Sequence, residues 1–513
     1  MIVSRRNKAQ ISGLIENLNL CMSGKQFHTE VESKANVGVR PFSEIPGPFC
    51  LPILGNLYQY KLGFYDVHKY HAVLEDLYRR YGPVVKEKLG PKTIVHVFSP
   101  DDAKTVYLNE DRMPYVTPLQ EVIQVYRQKE AFSPGLGNIN GETWYRLRNA
   151  IRHLMLQPKE VQEYLPGVQS IADELIEMIH RKRDSENIVA TLQDELNKYI
   201  QEAAGFVCFD RRLGYFTDEK SKLVKEIFTA NRTVFHLSGI LKFSLPLYKY
   251  WNTPKWKRLV AAEDIIMRTS IQYVNETIDS LQTLEKEGDL SNDRYPFMKS
   301  LVAKKELSLE DVTILTLSLF TDGLSTTVPS LLFNLYCLAA NKDAQEKAYQ
   351  EICEVTNGSK TLSVSMINRL SYLKAAIKET FRVLPNGTEI ARILKKDLLL
   401  SGYQIPAESI VTLNMNVHFK SEEYFKDPEV YRPERWLRGN EGSTINPYLL
   451  IPFGHGTRSC SGRRFAEQDM VVVLCKILQN FSLAYPVEEK PLEAVFDTLL
   501  FPNKPLKVQF IPR

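Results

Sequence analysis

Apolar residues recur at helical spacing through most of this chain, and no other feature narrows its fold as much. Helical periods run over Val67–Tyr81, Trp144–Leu156, Pro166–Arg181, Thr191–Cys208, Lys220–Phe235, Trp256–Lys286, Leu309–Ala340, Ala344–Val355, Ser371–Val383 and Gly462–Gln479. Strand-like pieces are few and short: "PVVKEKL", "TIVHVFS", "LLLSGYQI" and "SIVTLNM". The predicted fold is therefore mainly α with a small β-sheet portion. It forms a single large domain over residues 41–513, with no internal repeat and no polar linker to divide it. Pro329 is expected to kink or loosen the helix that contains it.

The first forty residues stand apart. Arg5, Arg6, Lys8 and Lys25 face one acid, Glu16, while Ile11, Leu14, Ile15 and Leu18 fall at helical spacing. That pattern fits an organelle transit peptide, which the resemblance given below makes mitochondrial, or a disordered lead. "FSEIPGPFCLPILGN" then places three prolines and two glycines where no helix interior can form. No stretch approaches the ~18–20 consecutive apolar residues of a transmembrane helix. A net charge of +4 on 513 residues is too small to indicate nucleic acid as a partner. Seven scattered cysteines, Cys21, Cys50, Cys208, Cys337, Cys353, Cys460 and Cys475, show neither zinc-site spacing nor a disulfide framework.

One of those cysteines sits in an unusual loop, "IPFGHGTRSCSGRRFAEQD". Cys460 is surrounded by Gly454, Gly456 and Gly462 and by His455, Arg458, Arg463 and Arg464. One sulfur and one nearby histidine leave a zinc site incomplete. A lone axial thiolate suits heme iron, whose in-plane ligands come from the porphyrin. Glycines let the backbone approach a flat macrocycle. Loop N–H groups and the following helix N-terminus would steady the charged sulfur. Arg458 is placed to meet a heme propionate, and Phe453 to cover the sulfur.

"FGHGTRSCSG" fits F-x-x-G-x-R-x-C-x-G, the heme-binding signature of the cytochrome P-450 superfamily, at every fixed position. Further segments resemble that family in order. "KETFR" and "YRPERW" supply Glu379, Arg382 and Arg435, which the resemblance joins in a buried network. "ETWYRLR" and "ARI" supply Trp144, Arg148 and Arg392, which it assigns to the propionates. The resemblance implies a heme-thiolate monooxygenase fold with heme b bound through Cys460.

"LFTDGLSTTVPS" falls where the family places its oxygen-activating helix, usually A-G-x-D/E-T-T. Gly323, Thr326 and Thr327 match, but Ser325 takes the acid position and Asp322 the small one. Asp322 and Thr326 share a helix face. Asp322 is expected to replace the missing acid in proton delivery or to bond a substrate hydroxyl; a merely water-bound carboxylate is the alternative. The catalytic set is thus Thr326, Asp322 and Gly323.

Lys374, Lys378, Arg463 and Arg464 resemble the basic docking residues of the mitochondrial group, which takes electrons from a small acidic [2Fe-2S] ferredoxin and its reductase. This implies a peripheral protein on the matrix side of the inner mitochondrial membrane, with a lipophilic small-molecule substrate. "LKFSLPLYKYW" suits a membrane surface or packing against the body. The surroundings of "TDGLSTT" look most like insect steroid hydroxylases of moulting-hormone synthesis, which implies 22-hydroxylation of an ecdysteroid precursor. Detoxification of lipophilic xenobiotics and a non-enzymatic heme sensor or carrier remain the alternatives.

Overall fold

The computed structural model describes residues 38–287, 296–440, 442 and 444–513. The basic N-terminal segment read as a transit peptide lies, through residue 37, outside the described residues. Arg40–Arg513 clusters as one unit. Among the helices of the described residues are α1 (Tyr70–Tyr81), α2 (Glu121–Lys129), α3 (Gly141–Leu156), α4 (Leu165–Lys182), α5 (Leu192–Phe209), α6 (Ser221–Lys242), α7 (Pro254–Lys286), α8 (Leu309–Ala340), α9 (Lys342–Thr356), α10 (Ser371–Val383) and α11 (Arg463–Asn480).

Helix α8 organises the body. It starts at a capping box, with the Asp311 N–H donating to Ser308 Oγ at 3.1 Å and the Ser308 N–H to Asp311 Oδ2 at 2.9 Å. By length and composition α8 could cross a membrane, but 78% of its most apolar window is buried inside the protein. A helix apolar on every side and covered on every side belongs to a core. Leu335 of α8 packs in one cluster with Leu175 of α4, Leu196 of α5, Leu373 of α10 and Leu474 of α11, all fully buried. The helix stays helical through Pro329. Proline offers no N–H there, so one backbone bond of the helix is unmade.

The sheets are small. In the largest, β1 (Val84–Leu89) pairs antiparallel with β2 (Lys92–Val97). Strand β2 runs parallel to β6 (Ile410–Leu413), which pairs antiparallel with β3 (Ile390–Ile393). "LLLSGYQI" is a hairpin rather than one strand, β4 (Leu398–Leu400) and β5 (Tyr403–Ile405). Its turn uses Ser401 and Gly402 at φ of 44° and 82°. Near the C-terminus β7 (Phe481–Ala484) pairs with β10 (Gln509–Pro512), and β8 (Ala494–Asp497) with β9 (Leu499–Pro502). Helix α6 runs seven residues past Phe235, where the sequence reading ended it. It passes Gly239, where a Cβ would lie 2.8 Å from the Thr498 nitrogen. Helix and hairpin tip therefore meet backbone to backbone.

Candidate active site

Helix α8, the Cys460 loop and the β3 approach enclose a cavity of about 520 Å³. Cys460 is the one cysteine on its wall among the described residues. Its exposed surface faces this cavity, deep in the protein, rather than bulk solvent. The loop turns through Gly454 and Gly456 at φ of 70° and 73°, a region costly for residues bearing a Cβ. It closes with the Cys460 N–H donating to the Phe453 carbonyl at 2.8 Å. Burial pushes the Cys460 thiol up, and the Asp322 carboxylate adds to this. The N–H groups of Gly462 and Arg463, at the start of α11, and the Arg148 guanidinium act in the opposite direction. The loop thus turns N–H dipoles and a cation toward the sulfur. Phe453 lines the cavity and packs edge-on against Phe381, with ring centres 5.6 Å apart.

Three guanidiniums gather at one edge. Arg458 stacks 3.9 Å over the buried Trp144 ring and donates to the Pro114 and Ile139 carbonyls at 2.9 and 2.6 Å. Arg148 donates to the Ser459 carbonyl at 2.7 Å. Burial, with repulsion from Arg392 and Arg148, lowers Arg458 to about 9, and Glu110 alone opposes this. Buried positive charge with one counter-ion calls for anionic groups, and heme brings two propionates. The donor set and the lone sulfur fit that cofactor. Trp144, Arg148, Arg458, Phe453 and Cys460 line the cavity. Arg392 stands behind the wall, ion-paired with Glu110 and donating to the His455 carbonyl at 3.4 Å.

Helix α8 presents Asp322, Gly323 and Thr326 to the same cavity as the sulfur. Ser325 turns away and bonds Asn231 of α6, so the acid position of the usual pattern is packed between helices. Asp322 occupies the cavity face instead. Burial lifts its carboxyl to about 7, with Arg127 lowering and Glu263 raising it. Arg127 is itself paired with buried Glu263, Nη2 to Oε1 at 2.7 Å. The Thr326 hydroxyl donates to the Asp322 carbonyl at 2.8 Å, which leaves its lone pairs free to accept. At Gly323 a Cβ would come within 2.8 Å of Ile200 Cγ2. The glycine is thus required by the α5–α8 contact as well as by any space at the cavity.

The structure also brings Glu379, Arg382 and Arg435 together, all at most 1% exposed. Arg382 Nη2 and Arg435 Nε donate to Glu379 Oε1 at 2.8 and 3.0 Å. Arg382 Nε and Trp436 Nε1 donate to Oε2 at 3.0 and 2.8 Å. Lys374 and Lys378 lie one turn apart on α10. Burial lowers the pKa of both, and Arg463 lowers that of Lys378 further; Lys374 Nζ donates to the Asn368 carbonyl at 3.2 Å and Lys378 Nζ lies 4.1 Å over the Trp436 ring. Arg463 and Arg464 both reach Glu467, at 2.8 and 3.3 Å, an acid inside the basic patch that the sequence reading did not weigh. Glu110, Arg127, Glu263 and Asn231 were also missed. Their partners lie 94 to 282 residues away, and no local spacing signals such pairs. Asp469 of α11 lines the cavity too, lifted to about 7 by burial.

The family profile described as Cytochrome P450 matches residues 45–510. "Probable cytochrome P450 CYP44" of Caenorhabditis elegans is 36% identical over 510 residues, covering 98% of this chain and 99% of that protein. "Ecdysone 20-monooxygenase" of Drosophila melanogaster is 30% identical over 495 residues, 92% of this chain and 88% of its own. The mitochondrial "1,25-dihydroxyvitamin D(3) 24-hydroxylase" of Rattus norvegicus is 30% identical over 480 residues, 92% and 90% of the two chains. A match over nearly the whole length, on a helical fold with a cavity-facing cysteine loop, makes this chain a member of the cytochrome P450 family, a heme-dependent monooxygenase.

Proposed function

We propose that this chain hydroxylates a steroid-sized lipophile in the mitochondrion. Its electrons come from a small acidic [2Fe-2S] ferredoxin served by a reductase. One observation carries the reading: the Cys460 sulfur and the Asp322–Gly323–Thr326 face look onto the same buried cavity. Heme held by Cys460, with Arg148, Arg458 and Trp144 at its propionates, supplies dioxygen activation when bound. The chain's own residues do the rest. Asp322, with a carboxyl near 7, exchanges a proton at neutral pH. Thr326 accepts that proton's hydrogen bond through its free lone pairs. Lys374, Lys378, Arg463 and Arg464 steer the acidic ferredoxin to the sulfur side, in a salt-sensitive way.

The substrate end of the cavity is lined by Leu119, Ile123, Phe235, Thr388 and Leu499, an apolar wall with a few polar groups that suits a sterol. Two of the relatives are named for reactions at carbons 20 and 24, which lie on the side chain in sterol numbering, as carbon 22 does. We take 22-hydroxylation of an ecdysteroid precursor as the finer form of the proposal. Matrix-side attachment to the inner membrane draws on exposed Leu247, Tyr250 and Trp251 beside Lys249 and Lys255. Leu241, Phe243 and Tyr248 of the same stretch pack inward.

The test is spectroscopic and then chemical. The reduced protein with carbon monoxide should give the red-shifted Soret band of thiolate ligation, and Cys460→Ser should abolish it. Sterols are then titrated for a change of spin state, and products identified. A protein that shifts with xenobiotics and not with any sterol would overturn the substrate reading.

A further inference from the structure

Beyond the cavity, three elements converge on one carboxylate. Asp497 ends β8, His236 lies on α6, and His68 sits in the single 3-10 turn Val67–Lys69 before α1. His236 Nδ1 is 3.0 Å from Asp497 Oδ1, and His68 Nδ1 is 3.3 Å from the same oxygen. The other oxygen, Oδ2, accepts from Arg232 at 2.6 Å. The two imidazoles lie 9° from parallel with centres 5.5 Å apart. Asp497 is 5% exposed, and the histidines are 40% and 41% exposed.

We propose that His68, His236 and Asp497 form a binding site for a divalent transition metal of the zinc class, and that the ion clasps β8, α6 and the start of α1 over the cavity. Tetrahedral coordination by two nitrogens and one oxygen, at bond lengths of ~2.0–2.2 Å, sets ligand atoms about 3.3–3.5 Å apart. The observed separations from Asp497 Oδ1, 3.0 and 3.3 Å, are close to that without any backbone movement. All three ligand atoms lie within 4.8 Å of one another. The half-exposed rings turn toward an ion with little packing lost; each neutral imidazole moves its N–H to Nε2, and His68 Nδ1 also gives up its 3.3 Å contact with the Phe496 carbonyl. The hollow they border, lined also by Thr233 and Arg258, leaves the fourth position to water. Arg232 holds Oδ2 so that Oδ1 faces the histidines, as outer-shell partners of metal ligands do. The Arg232 charge, with that of Arg258 bordering the same hollow, lowers the affinity, since the carboxylate is the only charged ligand.

The clasp bears on the cavity through its neighbours. Phe235 precedes His236 and Leu499 follows Asp497 by two residues, and both line the cavity. Between Asp497 and Leu499, Thr498 is held at φ 70°, a region that β-branched residues avoid. Its hydroxyl donates to the Phe235 carbonyl at 2.8 Å. An ion on Asp497 and His236 ties the start of this strained tip to α6. The inference stands on geometry outside the heme cavity and does not depend on the substrate reading.

The experiment is calorimetric titration of the heme-loaded full chain with zinc chloride, repeated on His68→Ala, His236→Ala and Asp497→Asn. The carbon monoxide band shows that each variant is folded, and the half-exposed histidines serve should Asp497→Asn unfold. Wild type should take up one zinc more tightly than either histidine variant, by about tenfold or more. Zinc should also slow amide hydrogen exchange over residues 494–502 in wild type alone. Equal zinc affinity and stoichiometry in wild type and both histidine variants overturns the site. Zinc bound there with unchanged exchange over residues 494–502 overturns the clasp.

Discussion

Replacing Glu379 by Gln should destabilise the protein by about 3–5 kcal/mol, the cost of removing one partner from a buried ion pair. The geometry supports the upper half of that range. Glu379 is fully buried and accepts from two guanidiniums, the Trp436 indole and the Arg432 backbone N–H. Glutamine keeps the shape but loses the charge, and its NH₂ confronts donors where an acceptor stood. Arg382 is not left wholly bare, since it also donates to the Phe419 and Pro428 carbonyls, each at 2.7 Å. Unfolding entropy near 2.1 cal/mol/K per residue, over a body of about 470 residues, gives roughly 1 kcal/mol/K. The thermal midpoint should therefore fall by about 3–5 °C at a fixed scan rate. Circular dichroism measures it, and the fraction of reduced protein with the red-shifted carbon monoxide band follows in parallel. Adding Arg382→Met should cost less than the two single changes together, because the second removes a charge the first had stranded. A midpoint within a degree of wild type would refute the claim that this carboxylate balances two buried cations.

Three further outcomes follow from other contacts. Asp322 has a folded pKa of about 7 against a usual 3.8, so the folded protein holds its proton more tightly than the unfolded chain. The stability linked to it is complete below about 4 and is lost as pH rises through about 7, and Asp322→Asn should remove that slope from urea midpoints measured across pH. Coupling of electrons to product should likewise fall in wild type above about pH 7, and an unchanged pH profile in Asp322→Asn would remove the residue from proton delivery. Gly323→Ala should cost about 1–3 kcal/mol by forcing a Cβ against Ile200, seen as a lower thermal midpoint. The same change should cost less in an Ile200→Ala background. Lys378→Gln should raise the ferredoxin KM by about 1.5- to 5-fold, as one exposed pair worth ~0.2–1 kcal/mol implies, and flatten its salt dependence while kcat at saturation holds.

What the sequence disclosed was local. The Cys460 loop and the Glu379–Arg382 step are patterns within a few residues, and the helices have strong periods, so their positions were legible. What required the folded chain came from distance. Ser325 bonds Asn231 and Arg127 pairs with Glu263 because helices cross there, and no spacing along the chain encodes a crossing. Arg392, which the resemblance assigns to a propionate, lies on β3 with its guanidinium paired to Glu110, a partner 282 residues away. Helix α6 extends past Phe235 through Gly239. The glycine is there for the Thr498 backbone, a partner about 260 residues on. "LLLSGYQI" was read as one strand because Ser401, unlike Gly402, does not advertise a left-handed turn.

The parallel pairing of β2 with β6 has a consequence for how the protein comes to exist. His96 on β2 and Thr412 on β6, which bond at 2.9 Å, are separated by 316 residues. Closing so wide a loop is slow, and during synthesis β2 has β1 on one edge while its other edge waits for β6 until most of the polypeptide has emerged. The sulfur-bearing segment is made later still. Cofactor capture therefore comes at the end of assembly, and the open β2 edge is a place where the nascent chain is exposed to aggregation.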